Sequence, residues 1–375
     1  MERFYFDHNA TTPVPPPVRE ALARALEEAY GNPSSVHREG QRARQAVESA
    51  RLDVCRMIGC APRDLVFTSG GTESDNLAVL GVVRAAGGHG HVVTSAIEHP
   101  AVLKACDRLD ATFVRPDRRG WVDPDEVRRA IRADTVLVSL MHSNNETGVV
   151  QPIAEIAQVA HDAGVLMHSD GVQAVGKIAV DVRALGVDLY SLSGHKFGAP
   201  KGVGALYLGT GVAVEPLQFG GRHERSRRAG TENVPGVVAM AAAARAVAVD
   251  DPRMPALRDR LERGVLDRVE DVTVNGAGAD RVPNTTNLCF EGVEGEAMVI
   301  ALDLRGFAVS SGSACSSGAV EPSRVLIAMG LSAERARSSL RFSLGPSNSE
   351  QQVDRLVDAV VASCAHLRRL SPAYA

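Results

Sequence analysis

The sequence predicts an α/β fold built on a large parallel sheet, and three observations support this class. Apolar runs of strand length alternate with helical segments from about residue 60 to residue 210, which is the order that builds a mostly parallel sheet with helices on both faces. Polar side chains follow several of these runs, as they do at the ligand-binding carboxyl edge of such a sheet. After about residue 252, shorter strands mix with helices, which predicts a smaller α+β domain.

Composition favours an ordinary soluble protein. Of the 375 residues, 45% are apolar and 23% are charged, and the net charge of −4 gives no indication of a nucleic-acid surface. The N-terminus lacks the apolar core of a signal peptide, and the most apolar stretch, residues 234–249, carries Arg245 and is expected to be a buried helix. The six cysteines show no metal-ligand spacing. We therefore expect a cytoplasmic protein with reduced thiols and no metal site.

The elements are predicted in chain order. Residues 4–13 are extended, a triple proline opens a helix at Val18 that ends at Gly31, and a serine N-cap after the loop 31–35 opens a charged helix to about Ile58. The strands predicted before residue 210 are 65–67, 91–94, 111–114, 135–141, 166–170, 187–192 and 203–208. The main helices predicted around and after them are 71–86, 152–163 and 233–249. The later strands are predicted at 287–290, 307–310 and 339–343, with helices near 255–270, 294–304 and 349–370.

A domain linker is predicted near residues 250–255. The predicted large domain spans residues 14–252. Residues 1–13 and 253–375 form the predicted small domain, which carries a serine-rich cysteine loop at about residues 310–322.

Two polar residues at the ends of neighbouring predicted strands suggest a site. Asp170 ends one apolar strand and lies 26 positions before Lys196, one strand–helix–strand step along the chain. Parallel neighbours deliver both side chains to one sheet edge. Lys196 taken alone is more simply a surface lysine in a loop, but a desolvated lysine beside a carboxylate is suited to a Schiff base with pyridoxal phosphate.

Other polar segments allow both a structural and a functional interpretation. The glycine pair before a helix at residues 70–71 is either an ordinary loop or an anion site. His99 either caps a helix or stacks on a planar ring, and Asn144 and Asn145 bind either their own turn or a ligand. Gln173 lies three residues after Asp170 and can face the same pocket.

Three further features lie late in the chain. Cys315 lies in the serine- and glycine-rich residues 310–318, where an accessible thiol is either passive or a nucleophile. Arg341 on a predicted strand is a candidate carboxylate clamp. The basic loop 220–231 is either a solvated charge run or an anion-facing loop.

Together these segments resemble the cysteine desulfurases of the NifS/IscS group, within the fold-type I PLP enzymes of the class V aminotransferase family. The matching motifs run in the family's order along the whole chain, and jointly they are specific. They are residues 7–12 (DHNATT), 31–37 (GNPSSVH), 68–74 (TSGGTES), 98–102 (EHPAV), 144–148 (NNETG), 193–196 (SGHK) and 310–315 (SSGSAC). The long serine-rich loop resembles the group I subtype.

The resemblance implies a seven-stranded, mostly parallel sheet, a bound pyridoxal 5′-phosphate and a role for each matching residue. Lys196 would bind the cofactor aldehyde and move the substrate proton, and Cys315 would receive the sulfur as a persulfide. The implied cofactor contacts are Asp170 at the ring nitrogen, His99 on the ring, Gln173 and Asn145 near the phenolate oxygen, and Gly71, Thr72, Ser193 and His195 at the phosphate. Thr231 would reach the phosphate of a neighbouring subunit. The implied substrate-binding residues are Arg341, Asn145, Asn9 and Asn32.

The resemblance further implies a homodimer that converts L-cysteine to L-alanine and passes sulfur to an acceptor for Fe–S assembly, tRNA thiolation or thio-cofactor synthesis, without direct contact with nucleic acid or membrane. No resident metal is implied, although Cys315 could contact an Fe–S cluster transiently. Some members dock an Fe–S scaffold protein through a longer tail than the one that ends here at Ala375, so the acceptor stays open.

Four alternatives are weighed against this hypothesis. A selenocysteine lyase stays open, whereas a class V aminotransferase has no need of the Cys315 thiol. A non-catalytic sulfur carrier would not need Lys196, Asp170 and His99. A nucleotide-binding dehydrogenase would need a glycine fingerprint that the Gly70–Gly71 pair does not fit.

Overall fold

The computed structural model describes residues 2–249, 251–311 and 321–370. Its strands, in chain order, are β1 (Phe4–Tyr5), β2 (Leu65–Thr68), β3 (His91–Ser95), β4 (Ala111–Val114), β5 (Thr135–Ser139), β6 (Leu166–Asp170), β7 (Leu189–Ser193), β8 (Gly204–Leu208), β9 (Val272–Val274), β10 (Thr285–Phe290), β11 (Phe307–Ala308), β12 (Ser310–Ser311) and β13 (Ser339–Ser343).

The α-helices of the same residues are α1 (Pro16–Glu28), α2 (Arg38–Ile58), α3 (Gly71–Ala85), α4 (Pro100–Cys106), α5 (Pro124–Ala130), α6 (Ile153–Asp162), α7 (Val234–Ala246), α8 (Arg253–Leu266), α9 (Gly295–Asp303), α10 (Arg324–Ala328), α11 (Ala333–Arg337) and α12 (Glu350–Leu370). None of these helices is both long and apolar enough to span a membrane.

A seven-stranded sheet forms the centre of the molecule, in the order β2-β8-β7-β6-β5-β3-β4. The strands from β7 to β4 are all parallel to their neighbours, and β8 pairs antiparallel with both β7 and β2. All residues of β3, β7 and β8 are buried, because helices cover both faces of such a sheet. The predicted α/β class and mostly parallel sheet are confirmed.

The connection from β6 to β7 differs from the prediction. The expected strand–helix–strand step contains no helix, and residues 171–188 form a series of turns. One of them is a single turn in which the N–H groups of Ala174 and Val175 both donate to the carbonyl of Gly171. Gly171 has no room for a side chain, since a Cβ there would lie 2.0 Å from the Tyr190 ring. A short, tightly packed connection therefore replaces the predicted helix.

A second core lies around the smaller sheet, in which β9, β10, β13 and β12 are antiparallel. Phe4 and Phe6 from the N-terminal segment pack into this core with residues of α8, α9 and α12, as the predicted small domain requires. In contrast, Val325 and Leu326 of α10 pack with the core of the large sheet. The predicted boundaries at 14–252 and 253–375 therefore stay a prediction.

Two helix starts were predicted wrongly. Helix α1 begins at Pro16 and not at Val18, because proline fits the first helical turn, where its missing N–H is not needed. Helix α2 is capped by His37, whose ring nitrogen accepts a hydrogen bond from the N–H of Gly40, and not by a serine. Gly59 ends α2 in the left-handed conformation, at φ +73°.

A buried ion pair fixes the basic loop 220–231 to the edge of the large sheet. Arg51 of α2 donates to both carboxylate oxygens of Glu224, at 2.8 and 2.9 Å, and both side chains are buried. Glu224 also accepts from the N–H of Phe67 at 3.0 Å. Because three consecutive residues from Glu224 to Ser226 have positive φ, this loop depends on contacts outside itself for its conformation.

Replacing Glu224 with glutamine should therefore lower the free energy of unfolding by about 3 kcal/mol, because it leaves the buried Arg51 charge with only the half-exposed Glu48 as an ion-pair partner. The matched control is Glu28→Gln, which breaks an exposed ion pair with Arg42 and should cost less than about 1 kcal/mol. Urea denaturation followed by circular dichroism measures both. Equal losses for the two variants would contradict the assignment of Glu224 as an anchor.

Candidate active site

A cavity of about 420 Å³ opens at the carboxyl edge of the large sheet. It lies where β2, β3, β5, β6 and β7 end, which is where parallel α/β sheets bind ligands. The predicted site residues that line it are Gly71, Thr72, His99, Asn145, Asp170, Gln173, Ser193, His195 and Lys196. The structure therefore brings together nine residues that are spread over 126 positions of the chain.

Lys196 follows β7 and projects its amine toward the N-terminal segment. Its Nζ donates hydrogen bonds to the carbonyl oxygens of Asn9 at 2.7 Å and Ala10 at 3.0 Å. Burial, together with the positive charge of Arg341, lowers the pKa of Lys196 to about 8. A substantial fraction of the amine is therefore neutral near physiological pH and able to act as a nucleophile or a base.

Asp170 ends β6, the parallel neighbour of β7. It accepts a hydrogen bond from the N–H of Val172 at 2.9 Å and is buried. Burial raises the pKa of Asp170, while the charges of His99 and Lys196 act in the opposite direction. A cationic ring nitrogen placed at this carboxylate would complete the charge balance of the site.

A second buried carboxylate, Asp75 of α3, also lines the cavity. Burial is the largest cause that raises its pKa well above the usual range, followed by the repulsion of Asp170. Burial and mutual repulsion therefore disfavour the charged form of Asp75, and burial raises the pKa of Asp170 as well. The sequence interpretation did not assign Asp75, although its place on α3, one turn after Thr72, could have indicated it.

Of the two roles that the sequence left open for His99, the structure shows the helix cap. Its Nδ1 accepts a hydrogen bond from the N–H of Ala101 at 3.1 Å and so caps α4. The ring also lines the cavity, where desolvation lowers its pKa. Because Nδ1 is the acceptor, the hydrogen of the neutral ring is on Nε2.

The start of α3 forms a cradle suited to an anion. Ser69, Gly70, Gly71 and Thr72 line the cavity beside Ser193, and the first N–H groups of a helix carry partial positive charge. A Cβ at Gly71 would lie 2.7 Å from the side chain of Val172, so glycine is required for this close approach. The residues present therefore fit a phosphate at this end of the cavity.

Of the predicted substrate residues, Arg341 and Asn145 lie together. Arg341 donates to the carbonyl oxygen of Asn145 at 2.8 Å and pairs with the carboxylate of Asp7 at 2.7 Å. Its Nε is buried without a hydrogen-bond partner. A ligand carboxylate at this guanidinium would therefore have to share it with Asp7.

The structure does not support Asn9 as a direct ligand group. Its amide is buried, and Oδ1 accepts from Lys177 at 2.7 Å. Nδ2 donates to the carbonyl of Asn145 and the hydroxyl of Thr285, at 3.2 and 3.0 Å. Both ends of the side chain are used within the protein, so Asn9 supports the site from behind.

Two other predicted residues, Asn32 and Thr231, do not line this cavity. Both are exposed and line a separate cavity of about 870 Å³ together with the basic loop 220–231. They reach that position because the loops that carry them meet beside α2. Neither is therefore placed to contact a ligand at Lys196 within the same chain.

The remaining sequence predictions concern Cys315, a metal site and Asn144. Cys315 lies outside the described residues. Within the described ranges, no three potential ligands from His, Cys, Asp and Glu cluster as a metal would need. Asn144, beside Asn145, uses its Oδ1 to accept from the N–H groups of Glu146 and Thr147, so the turn-forming alternative applies to it.

Comparison with known proteins gives the family. Residues 4–356 match the family described as "Aminotransferase class-V". Over 99% of the chain, the sequence is 47% identical to a protein named "Cysteine desulfurase IscS" from Anaeromyxobacter dehalogenans, and the match covers 94% of that protein. The chain belongs to the cysteine desulfurases. The predicted family is confirmed.

Solved structures agree with this family. A structure described as "NIFS-LIKE PROTEIN" superposes with a TM-score of 0.90 at 34% identity, covering 97% of this chain and all of that one. A structure described as "SspA in complex with cysteine" superposes with a TM-score of 0.83 at 34% identity, covering 92% of this chain and 99% of that one. The cysteine desulfurase fold therefore extends over nearly the whole sequence.

The position of Lys196 predicts its titration. Competitive labelling with acetic anhydride, read by mass spectrometry across a pH series, should give a midpoint near pH 8 for Lys196, because burial and the nearby Arg341 disfavour the charged amine. The exposed Lys104 supplies the reference trace in the same spectra. Since the lowered pKa means fewer protons bound in the folded state, stability should rise with pH between about 8 and 10.5. A Lys196 midpoint above pH 10 would contradict this environment.

Proposed function

We propose that this protein is a pyridoxal-phosphate-dependent cysteine desulfurase that converts L-cysteine to L-alanine and transfers the sulfur to Cys315. The observation that carries the proposal is the convergence of Asp170 and Lys196 on one cavity from the ends of two parallel strands. When bound, pyridoxal phosphate supplies an aldehyde that captures amines and a ring that withdraws electrons.

The residues of the cavity fit this cofactor. Lys196 would bind the aldehyde, Asp170 would pair with the ring nitrogen, and His99 would stack on the ring. Gly71, Thr72, Ser193 and His195 would hold the phosphate, and Gln173 with Asn145 would lie near the phenolate oxygen. These assignments are supported by the lining of the cavity and by a half-buried amine of lowered pKa that follows the strand next to a buried carboxylate.

Lys196 is also proposed to move the substrate proton. With a pKa of about 8, its Nζ is close to the value that suits a general base at neutral pH. Once free, the amine can take the proton from Cα of the substrate and return a proton to Cα of the product, while Cβ takes a second proton that balances the one lost when the Cys315 thiol ionises. Arg341 would hold the substrate carboxylate in competition with Asp7, which is supported by its unpartnered Nε.

Cys315 is proposed as the sulfur acceptor within the enzyme. Its thiolate would attack the sulfur of the substrate, so that an S–S bond forms while the C–S bond of cysteine breaks. The electron pair of the C–S bond stays with the carbon, which takes a proton to become the methyl group of alanine. A persulfide remains on Cys315, and a second protein or thiol must accept its outer sulfur. The proposed acceptor belongs to Fe–S assembly or to another thiolation pathway.

The proposed homodimer rests on the outer cavity that Asn32 and Thr231 line. Exposed apolar side chains lie on the same segments, with Val36 at 87% and Phe219 at 83% exposure. Exposed apolar side chains near a surface cavity are typical of a protein–protein interaction surface. In the proposed dimer, Thr231 would extend to the partner's phosphate. We further propose that the enzyme is cytoplasmic.

The product assay tests the proposed function directly. Incubation with L-cysteine and a thiol reductant should release alanine and sulfide in equal amounts, and Cys315→Ser should reduce both by at least about 100-fold, because the nucleophile is lost. Bound pyridoxal phosphate, measured by visible absorption, should stay unchanged in this variant. Cys60→Ser, at a partly exposed cysteine of the described residues, is the control and should retain activity.

Full activity in Cys315→Ser would reject the assignment of this cysteine. A protein that holds pyridoxal phosphate but forms neither alanine nor sulfide would reject desulfuration. Selenocysteine is tested in parallel, and turnover on selenocysteine alone would favour a lyase.

The dimer has its own prediction. Val36→Asp places a charge in the proposed interface and should weaken self-association by about 10-fold or more. Sedimentation velocity at several concentrations measures the change. Ile300→Asp, which alters an exposed apolar residue on α9, is the control and should leave the sedimentation coefficient unchanged. A monomeric unaltered protein, or equal effects of the two substitutions, would contradict the proposed surface.

A further inference from the structure

Lys177 is a buried lysine that forms no ion pair with a carboxylate of the described residues. It lies in the turns between β6 and β7, four residues after Gln173, and it does not line the cavity that contains Asp170. Its Nζ donates hydrogen bonds to Asn9 Oδ1 at 2.7 Å and to Gln173 Oε1. A buried ammonium or amine in this position is costly unless it performs a task.

A charged lysine only donates hydrogen bonds, whereas a neutral amine also has a lone pair that can accept one. Here Nζ donates to both of its amide partners, which turn their oxygens toward it. For Gln173, this directs the NH₂ group away from Lys177. One N–H of that group donates to the carbonyl of Asn9 at 2.9 Å. Gln173 also lines the cavity.

The same constraint applies to Asn9. Because its Oδ1 faces Lys177, its NH₂ group must donate on the other side, where it binds the carbonyl of Asn145 at 3.2 Å. Arg341 donates to that same carbonyl. The backbone carbonyl of Asn9, in turn, accepts from Lys196 at 2.7 Å. Lys177 thus contributes to a network of hydrogen bonds that reaches Gln173, Lys196 and Arg341, in which Asn284 also donates to Asn9 Oδ1 at 3.3 Å.

We propose that Lys177 is a positioning residue, which together with the Asn9 carbonyl holds the Gln173 amide so that an N–H faces the cofactor cavity. The inference rests on the proposed function, since it concerns the hydrogen bond that Gln173 would donate to the phenolate oxygen of pyridoxal phosphate. Without Lys177, the Gln173 amide keeps only its Nε2 hydrogen bond to the Asn9 carbonyl, and it is held less firmly in the orientation that would direct an N–H to an anionic ring oxygen.

Several charged groups surround this network and bear on its pH dependence. Burial is the largest cause that lowers the pKa of Lys177, followed by the charges of Lys196 after β7 and Arg341 on β13. Asp170 and Asp7 raise the pKa of Lys196. His8 on the N-terminal segment is in turn affected by Lys177. A Lys177 variant keeps all the other groups of this network. A shift in the pH midpoint of bound pyridoxal phosphate in such a variant therefore reports the loss of the hydrogen bonds and charge of Lys177.

The test compares Lys177→Met and Lys177→Gln with the unaltered holoenzyme. Two quantities are measured: the dissociation constant of pyridoxal phosphate, and the pH midpoint of its visible absorption change. A hydrogen-bond donor at the ring oxygen favours the ionised oxygen and lowers the pH midpoint. Because both variants weaken the hold on the Gln173 donor, the midpoint should rise by about one pH unit. The dissociation constant of pyridoxal phosphate should rise by about 10-fold. Lys177→Gln keeps a polar side chain, but its amide can present either an oxygen or an NH₂ group to Gln173. It serves as the second variant if Lys177→Met does not fold.

A double-mutant cycle separates positioning from a general loss of structure. If Lys177 acts through Gln173, Lys177→Met should add little further shift in a Gln173→Ala background. Lys104→Met, at an exposed lysine, is the control for loss of charge and should leave both quantities unchanged.

The outcomes are distinct. Unchanged midpoint and affinity in both Lys177 variants would overturn the inference while leaving the proposed function intact, and so would full additivity in the cycle. Failure of the unaltered protein to take up pyridoxal phosphate at all would instead overturn the proposed function, and the inference with it.

Discussion

The parallel pairing of β6 with β7 is the constraint on which the site depends. In this register Asp170 lies opposite Ser191, so the chain leaves both strands at the same edge and Lys196 follows within a few residues. A sheet that paired these strands antiparallel would send the carboxylate and the amine to opposite edges. The short connection between them, packed on Tyr190, holds the pair without an intervening helix.

The N-terminal segment completes what the sheet begins. Phe6 packs in the second core, while the Asn9 and Ala10 carbonyls hold Lys196 over the large sheet. Asp7 pairs with Arg341 on β13. A short extended segment thus connects the amine, the guanidinium and both cores. The Asn9 side chain forms hydrogen bonds with Lys177, Thr285 and the Asn145 carbonyl. Asn9 therefore supports the site and does not line it.

Much of the fold followed from the sequence, because apolar runs and their spacing report burial directly. The convergence of Asp170 and Lys196 followed as well, since parallel topology leaves only one edge for both. The pairing of Asp7 with Arg341 did not follow, because these residues are more than 300 positions apart and neither carries a local signal. Lys177 was missed for a similar reason: its partners Asn9 and Gln173 are amides, which give no charge pattern to recognise.

The central claim is that Lys196 is the residue that captures the aldehyde of pyridoxal phosphate. Borohydride reduction of the loaded protein, followed by peptide mapping with mass spectrometry, tests it most directly, since reduction makes the bond permanent. The account predicts the added mass on Lys196 and its absence from Lys177 and from Lys201, which lines the same cavity. Modification of Lys201 or Lys177 in place of Lys196 would contradict the account.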